Sequence, residues 1–91
     1  MQQLVYERAK KLMEADLGDE LVALDPQGGE CFGFNGVAST VWRLLERPSS
    51  FSALKQSLLL EYDVDPGQCE AELNELLGNL LERGLVRSRQ A

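Results

Sequence analysis

The 91-residue chain contains no histidine and only two cysteines, Cys31 and Cys69. Histidine is the commonest general base and metal ligand, so its absence removes the usual basis of both kinds of site. Two isolated cysteines cannot supply the four ligands of a structural zinc site, and a cysteine nucleophile would have no histidine partner. We therefore expect no enzyme, metal or cofactor. We expect Cys31 to be an ordinary strand residue and Cys69 to lie on an apolar helix stripe.

The sequence also lacks long apolar runs and an excess of basic residues. No stretch of 18 apolar residues predicts a membrane span, and the start, MQQLVYERAKK, is charged where a signal peptide is apolar. Both features favour a cytoplasmic protein. The net charge is −6, and residues 66–82 contain neither Lys nor Arg. Phosphate contacts need such residues, so nucleic acid is a poor candidate partner and a peptide or protein a better one.

A chain of this length forms one domain, residues 1–91, with an expected ordered core at about 10–87. Residues 11–17, 20–24 and 30–34 read as short strands joined by Gly18-Asp19 and by the turn sequence Asp-Pro-Gln-Gly-Gly. The period of two places Phe32 and Phe34 on one face, towards the core, and the small Cys31 and Gly33 on the other. The first dozen residues fit neither a helix nor a strand clearly.

Three helices are predicted after the strands. The first spans about residues 37–46, with Asn35 or Gly36 as cap and Trp42 on the flank of its apolar face. The second follows Ser50. The third begins at the N-cap Asp65, carries a potential capping box, and ends at Gly84. The sequence therefore predicts an α+β fold in the order β-β-β-α-α-α.

The strand at residues 30–34 is the candidate functional element, because it leads out of the sheet into the first helix. An uncovered edge strand offers unpaired N–H and C=O groups, to which an extended peptide can add as another strand. Gly33 allows a second backbone to approach closely. The Leu-rich third helix can supply an apolar wall beside this edge. The alternative interpretation is that Phe32-Gly33-Phe34 is core and nothing more.

Several short motifs occur in an order and spacing that resemble the PqqD-like family over about residues 10–87. They are Leu24-Asp25, Phe34-Asn35, Val41-Trp42 with Leu44-Leu45, Glu61-Tyr62-Asp63-Val64-Asp65-Pro66 and Leu81-Glu82-Arg83-Gly84-Leu85-Val86. The resemblance implies a winged helix-turn-helix-like fold of three strands and three helices. It also implies a non-catalytic recognition element that binds the leader segment of a ribosomally synthesised precursor peptide.

In that family the leader adds to the third strand and lies against the third helix. Carried onto this chain, the resemblance implies two sets of peptide-binding residues. On the strand these are Glu30, Cys31, Phe32, Gly33 and Phe34, and on the helix Cys69, Glu70, Leu73, Asn74, Leu77 and Leu81.

The aromatic-Gly-aromatic-Asn step at residues 32–35 is more similar to the stand-alone recognition proteins of lasso-peptide clusters than to coenzyme PQQ synthesis protein D. The implied partners are then a leader peptidase and a cyclase. Three alternatives stay open at this point. They are a PqqD-type chaperone in PQQ biosynthesis, a winged-helix DNA-binding protein, and a subunit that docks on a larger enzyme without leader affinity.

Overall fold

The computed structural model describes residues 3–90 and has a small α+β fold with three helices and two three-stranded antiparallel sheets. In chain order the elements are β1 (Leu4–Arg8), β2 (Met13–Asp16), β3 (Leu21–Leu24), β4 (Cys31–Phe34), α1 (Gly36–Leu44), β5 (Ser49–Ser50), α2 (Phe51–Glu61), α3 (Pro66–Glu82) and β6 (Val86–Gln90). One sheet has the order β2-β3-β4 and contains the predicted meander. The other has the order β5-β1-β6.

The predicted order of three strands followed by three helices is wrong, because three further strands form a second sheet. The expected winged helix-turn-helix-like fold is therefore matched only in part. Both ends of the described chain pair with each other, from Leu4 opposite Gln90 to Arg8 opposite Val86. The short strand β5 pairs with the other side of β1. Tyr6 is part of the hydrophobic core, so the packed region begins before the predicted boundary at residue 10. Local periodicity cannot reveal a pairing between segments about 80 residues apart in sequence.

The turn between β3 and β4 is fixed by the buried carboxylate of Asp25. Its side chain accepts a hydrogen bond from the N–H of Gln27 at 3.0 Å and contacts Lys10 Nζ at 3.2 Å. Hydrogen bonds from the main-chain N–H groups of Gln27 and Gly28, and then the Lys10 ammonium, lower the pKa of this carboxyl below its ordinary value. The Asp25 N–H donates to the Glu30 carbonyl at 2.8 Å and so sets the register in which β4 begins.

The inner face of the β2-β3-β4 sheet packs on α1 through aromatic rings. Phe32 and Phe34 are both buried, as predicted, and Phe34 stacks on Trp42 with ring centroids 5.3 Å apart. The predicted flank position of Trp42 is wrong, because this side chain is fully buried. Its other neighbours explain the difference. The Arg8 guanidinium lies 4.4 Å from the indole centroid, and Glu14 accepts a hydrogen bond from the indole N–H at 3.1 Å. These contacts join the two sheets.

The ends of α3 follow the sequence signals closely. Asp65 accepts hydrogen bonds from two main-chain N–H groups of the first turn at 3.0 and 3.1 Å. The capping box is not formed within the described residues, because the Gln68 side-chain oxygen accepts no hydrogen bond from the Asp65 N–H; the Gln68 amide donates to Glu72. At the other end Gly84 has φ +72°, and the buried Leu85 packs back on the helix. The end of α3 is thereby fixed beside β4.

The starts of the other two helices differ from each other. Ser50 caps α2 as predicted, accepting a hydrogen bond from the N–H of Ala53 at 3.1 Å. Asn35 occupies the N-cap position of α1, but its side chain makes no capping hydrogen bond. The turn from β4 into α1 is instead made by Gly36, which has φ +24°. Of the two predicted cap residues, Asn35 therefore occupies the N-cap position, and Gly36 provides the unusual backbone conformation of the turn.

Candidate peptide-binding groove

Strand β4 is the outer strand of its sheet and pairs only with β3 within residues 3–90. Hydrogen-bonded and non-hydrogen-bonded pairs alternate along an antiparallel ladder. Because Asp25 donates to Glu30 at the start of this ladder, Phe32 and Phe34 direct their N–H and C=O groups towards β3. Cys31 and Gly33 therefore direct theirs to the open edge.

The pairing of β3 with β2 supports the same assignment. The N–H of Leu17 donates to the carbonyl of Glu20 at 2.8 Å, so the hydrogen-bonded pairs of that ladder include Val22 and Leu24 of β3. The remaining β3 residues, Leu21 and Ala23, are those paired with Phe34 and Phe32. Both ladders thus agree on which main-chain groups of β4 lie at the free edge.

A groove of about 390 Å³ runs between this edge and the C-terminal half of α3. That volume is at the lower end of the range for ligand sites, and it suits a few side chains of an extended segment rather than an enclosed small molecule. Ten residues line it: Cys31, Phe32, Gly33, Phe34, Ala38, Leu76, Asn79, Leu80, Arg83 and Leu85. Four of the five predicted strand residues are among them. Glu30 is exposed at the start of β4 and is not a lining residue.

The helical wall of the groove differs from the predicted one. Its residues are Leu76, Asn79, Leu80 and Arg83, which are spaced i, i+3, i+4 and i+7 and so form one stripe along α3. None of the six predicted helix residues lines the groove.

Burial and helical geometry explain the difference. Cys69, Leu73 and Leu77 are at most 3% exposed, and they lie roughly 70° around α3 from the groove stripe, towards the core. Leu80 is equally buried but lies where these two faces of α3 meet. Glu70, Asn74 and Leu81 are exposed, but a 100° turn per residue places them roughly 150° around α3 from the groove stripe. Leu73 and Leu77 thus pack in the core, whereas Leu76 and Leu80 of the same Leu-rich helix form the apolar part of the groove wall. The sequence signal for the helix face that lines the groove is the pattern Leu76-x-x-Asn79-Leu80-x-x-Arg83.

The opposite, solvent-facing side of the β2-β3-β4 sheet carries no charged side chain. Its residues, by register, are Met13, Ala15, Val22, Leu24, Cys31 and Gly33. Met13 is 62% exposed and Leu24 is 39% exposed. The outward face of an antiparallel sheet is commonly polar. A strand added beside β4 would therefore meet uncharged surface on its outer face.

A smaller cavity of about 200 Å³ lies beyond the other end of β4, where the chain has entered α1. It is lined by Val37, Leu58, Tyr62, Asp63, Val64, Cys69 and Glu72. Cys69 thus contacts this cavity while remaining almost fully buried. Its acidic side chains, Asp63 and Glu72, contrast with the groove, where Arg83 is the charged lining residue.

Among residues 3–90, no group of three or more Cys, Asp or Glu side chains is placed to hold a metal ion. Within the same residues, no helix combines the length and apolar character needed to cross a membrane.

Comparisons with known proteins relate the chain to a described family. The chain matches the family model described as Coenzyme PQQ synthesis protein D (PqqD) over residues 20–86. The chain belongs to the PqqD family. The matched range runs from the start of β3 to the start of β6, so it includes both walls of the groove. The family resemblance expected from the sequence is confirmed.

A solved structure is similar to this member of the PqqD family over most of both chains. It is that of TbiB1 in complex with the TbiA(beta) leader peptide, with a TM-score of 0.76 and 30% sequence identity. The similarity covers 89% of this chain and 94% of TbiB1. No curated protein matches the chain.

Proposed function

We propose that this protein binds the leader segment of a ribosomally synthesised precursor peptide as a fourth strand on the open edge of β4. One observation carries the proposal. The main-chain groups of Cys31 and Gly33 are directed to an edge that borders a groove with Leu76 and Leu80 in its helical wall. Membership of the PqqD family and the similarity to a leader-bound structure support it.

The main chain would position the leader. Cys31 and Gly33 together offer two N–H and two C=O groups, hence up to four hydrogen bonds of about 0.5–1.5 kcal/mol each. Their sum, about 2–6 kcal/mol, is close to the 2–5 kcal/mol or more needed to order a flexible segment. The backbone hydrogen bonds therefore fix where the leader lies and contribute little net affinity.

Apolar side chains of the leader would supply the affinity. Every second side chain of an added strand projects onto the groove side, beside Phe32 and Phe34 and against Leu76 and Leu80. Full burial of one large apolar side chain contributes about 1.5–3 kcal/mol. Two such residues in the leader are enough for binding in the micromolar range. The alternate side chains would lie beside Cys31 and Gly33 on the uncharged outer face of the sheet.

The role that follows is non-catalytic delivery. Holding the leader raises the local concentration of the precursor for a partner enzyme and orients it. We infer a stand-alone element of a lasso-peptide pathway, acting in the cytoplasm with a leader peptidase and a cyclase. This assignment rests on the aromatic-Gly-aromatic-Asn sequence at residues 32–35. Its first three residues belong to the groove edge, and Asn35 leads from β4 into α1.

A PqqD-type role in PQQ biosynthesis is the second candidate, and the description of the matching family model favours it. Both candidates involve peptide binding, so the identity of the precursor that binds would separate them. DNA binding is disfavoured by the charge of α3, which has no Lys or Arg between Pro66 and Glu82.

Titration of a fluorescently labelled leader peptide tests the proposal. The peptide is taken from the precursor gene beside the gene for this protein, and a scrambled peptide of the same composition is the control. We expect saturable binding of the leader in the micromolar range or tighter and no saturation with the scrambled peptide. A folded sample that saturates with neither peptide would contradict leader recognition.

A further inference from the structure

Charge is distributed unevenly along the groove. Arg83 is the charged member of the ten lining residues, in a chain whose net charge is −6. Its side chain is exposed, and none of the six ion pairs among the described residues includes it. An arginine without a carboxylate partner in an acidic protein is available to a ligand.

Arg83 lies close to Phe32, and therefore close to the residue that an added strand would place opposite Phe32. Its guanidinium carbon lies 6.0 Å from the centroid of the Phe32 ring. A peptide residue directly opposite Phe32 would project its side chain to the same face of the sheet. Directly opposed Cβ atoms are about 5 Å apart. That peptide side chain would therefore lie beside the guanidinium.

The smaller cavity beyond the C-terminal end of β4 has the opposite character. Asp63 and Glu72 line the cavity next to Val37, and neither is in an ion pair within the described part of the chain. An acidic peptide side chain would be repelled there and attracted at Arg83. The potential thus distinguishes the two ends of a bound strand.

We propose that Arg83 determines specificity by pairing with an Asp or Glu of the bound peptide at the position opposite Phe32. The proposal rests on leader binding at β4. It names the substrate class as an extended segment with one carboxylate on the groove face and a large apolar side chain two residues away. The remaining lining of that face is uncharged and mostly apolar, which selects the second residue.

The pair would act mainly on register. Its partners remain partly exposed, so removal of one charge should weaken binding by only about fivefold. A slip of one residue moves the carboxylate to the outer face of the sheet, and a slip of two moves it about 6.6 Å along the strand. Either slip separates the carboxylate from Arg83.

Selection from a display library of randomised linear peptides tests this inference without knowledge of the natural leader. The baits are the wild-type protein, Arg83→Gln and Arg83→Glu. Arg47→Glu is the control, because it makes the same charge change at an exposed arginine outside the groove and outside the ion pairs. Arg83→Gln keeps the test valid if Glu at the C-terminal end of α3 disturbs folding.

We expect the wild type and Arg47→Glu to enrich Asp or Glu at one position, two residues from an enriched apolar position. Arg83→Gln should lose the acidic preference, and Arg83→Glu should replace it with Lys or Arg. Two results would overturn the role of Arg83 and leave peptide binding intact. One is enrichment of the same acidic residue in all four selections, and the other is enrichment of apolar peptides with no charged preference. Failure of the folded wild type to enrich any peptide would overturn peptide binding itself.

Discussion

Replacement of Gly33 by proline isolates the main-chain contribution to leader binding. Proline has no N–H, and the N–H of Gly33 is directed to the open edge rather than to β3. The substitution therefore removes a donor from the proposed interface and leaves the β3–β4 ladder complete. Proline is accepted on edge strands, and the extended conformation of Phe32 suits a residue that precedes proline.

The expected loss can be estimated from one broken hydrogen bond. Removal of one partner of a hydrogen bond, which here leaves the leader carbonyl without a donor, costs about 1–3 kcal/mol. This loss corresponds to binding that is about 5- to 150-fold weaker.

Gly33→Ala is the matched control. A Cβ at this position meets no atom within 4 Å, and alanine keeps the N–H. The added methyl group projects to the outer face of the sheet rather than to the edge, so leader affinity should fall by less than about 5-fold, the minimum expected for Gly33→Pro. Isothermal titration calorimetry measures both variants, and thermal unfolding verifies that each is folded. Equal leader affinity of a folded Gly33→Pro protein and the wild type would refute strand addition at this edge.

Three further predictions concern the groove, the core and the turn. Leu76→Ala should weaken leader binding about fivefold through lost apolar burial, whereas Asn74→Ala on the far side of α3 should leave it unchanged. Fluorescence anisotropy measures both affinities. A larger loss of affinity for Asn74→Ala than for Leu76→Ala would favour the helix residues expected from the sequence. Leu73→Ala should lower the free energy of unfolding by about 2–5 kcal/mol, because Leu73 is fully buried; urea denaturation measures this, and a change below 1 kcal/mol would contradict its core position. The lowered pKa of Asp25 stabilises the fold above the unfolded-state pKa near 3.9, and this stabilisation is lost as pH falls through the lower folded-state value. The melting temperatures of wild type and Asp25→Asn should therefore converge below about pH 4, and a gap independent of pH would contradict the assignment.

Local signals in the sequence were sufficient for the edge strand and for α3. Alternation places Phe32 and Phe34 in the core and leaves Cys31 and Gly33 exposed, as the structure has them. The N-cap Asp65 and the positive φ of Gly84 bound α3 where predicted. These features depend on residues within a few positions of one another, so one sequence contains the information.

Features that depend on distant partners were not predictable. β1 is exposed or half-buried at four of its five residues, and its strand conformation comes from pairing with β5 and β6. The face of α3 that borders the groove could not be chosen either. Two adjacent stripes contain leucines, and the packing of β4 and α1 decides which is buried and which lines the groove.

Amide hydrogen exchange of β4 with and without a saturating leader peptide tests the central claim most directly. In the free protein the amides of Phe32 and Phe34 are bonded to β3 and those of Cys31 and Gly33 are directed to the open edge. Strand addition predicts that the leader slows exchange selectively at Cys31 and Gly33, with little change at Phe32 and Phe34. Unchanged exchange at Cys31 and Gly33 in a complex known to be saturated would contradict the account.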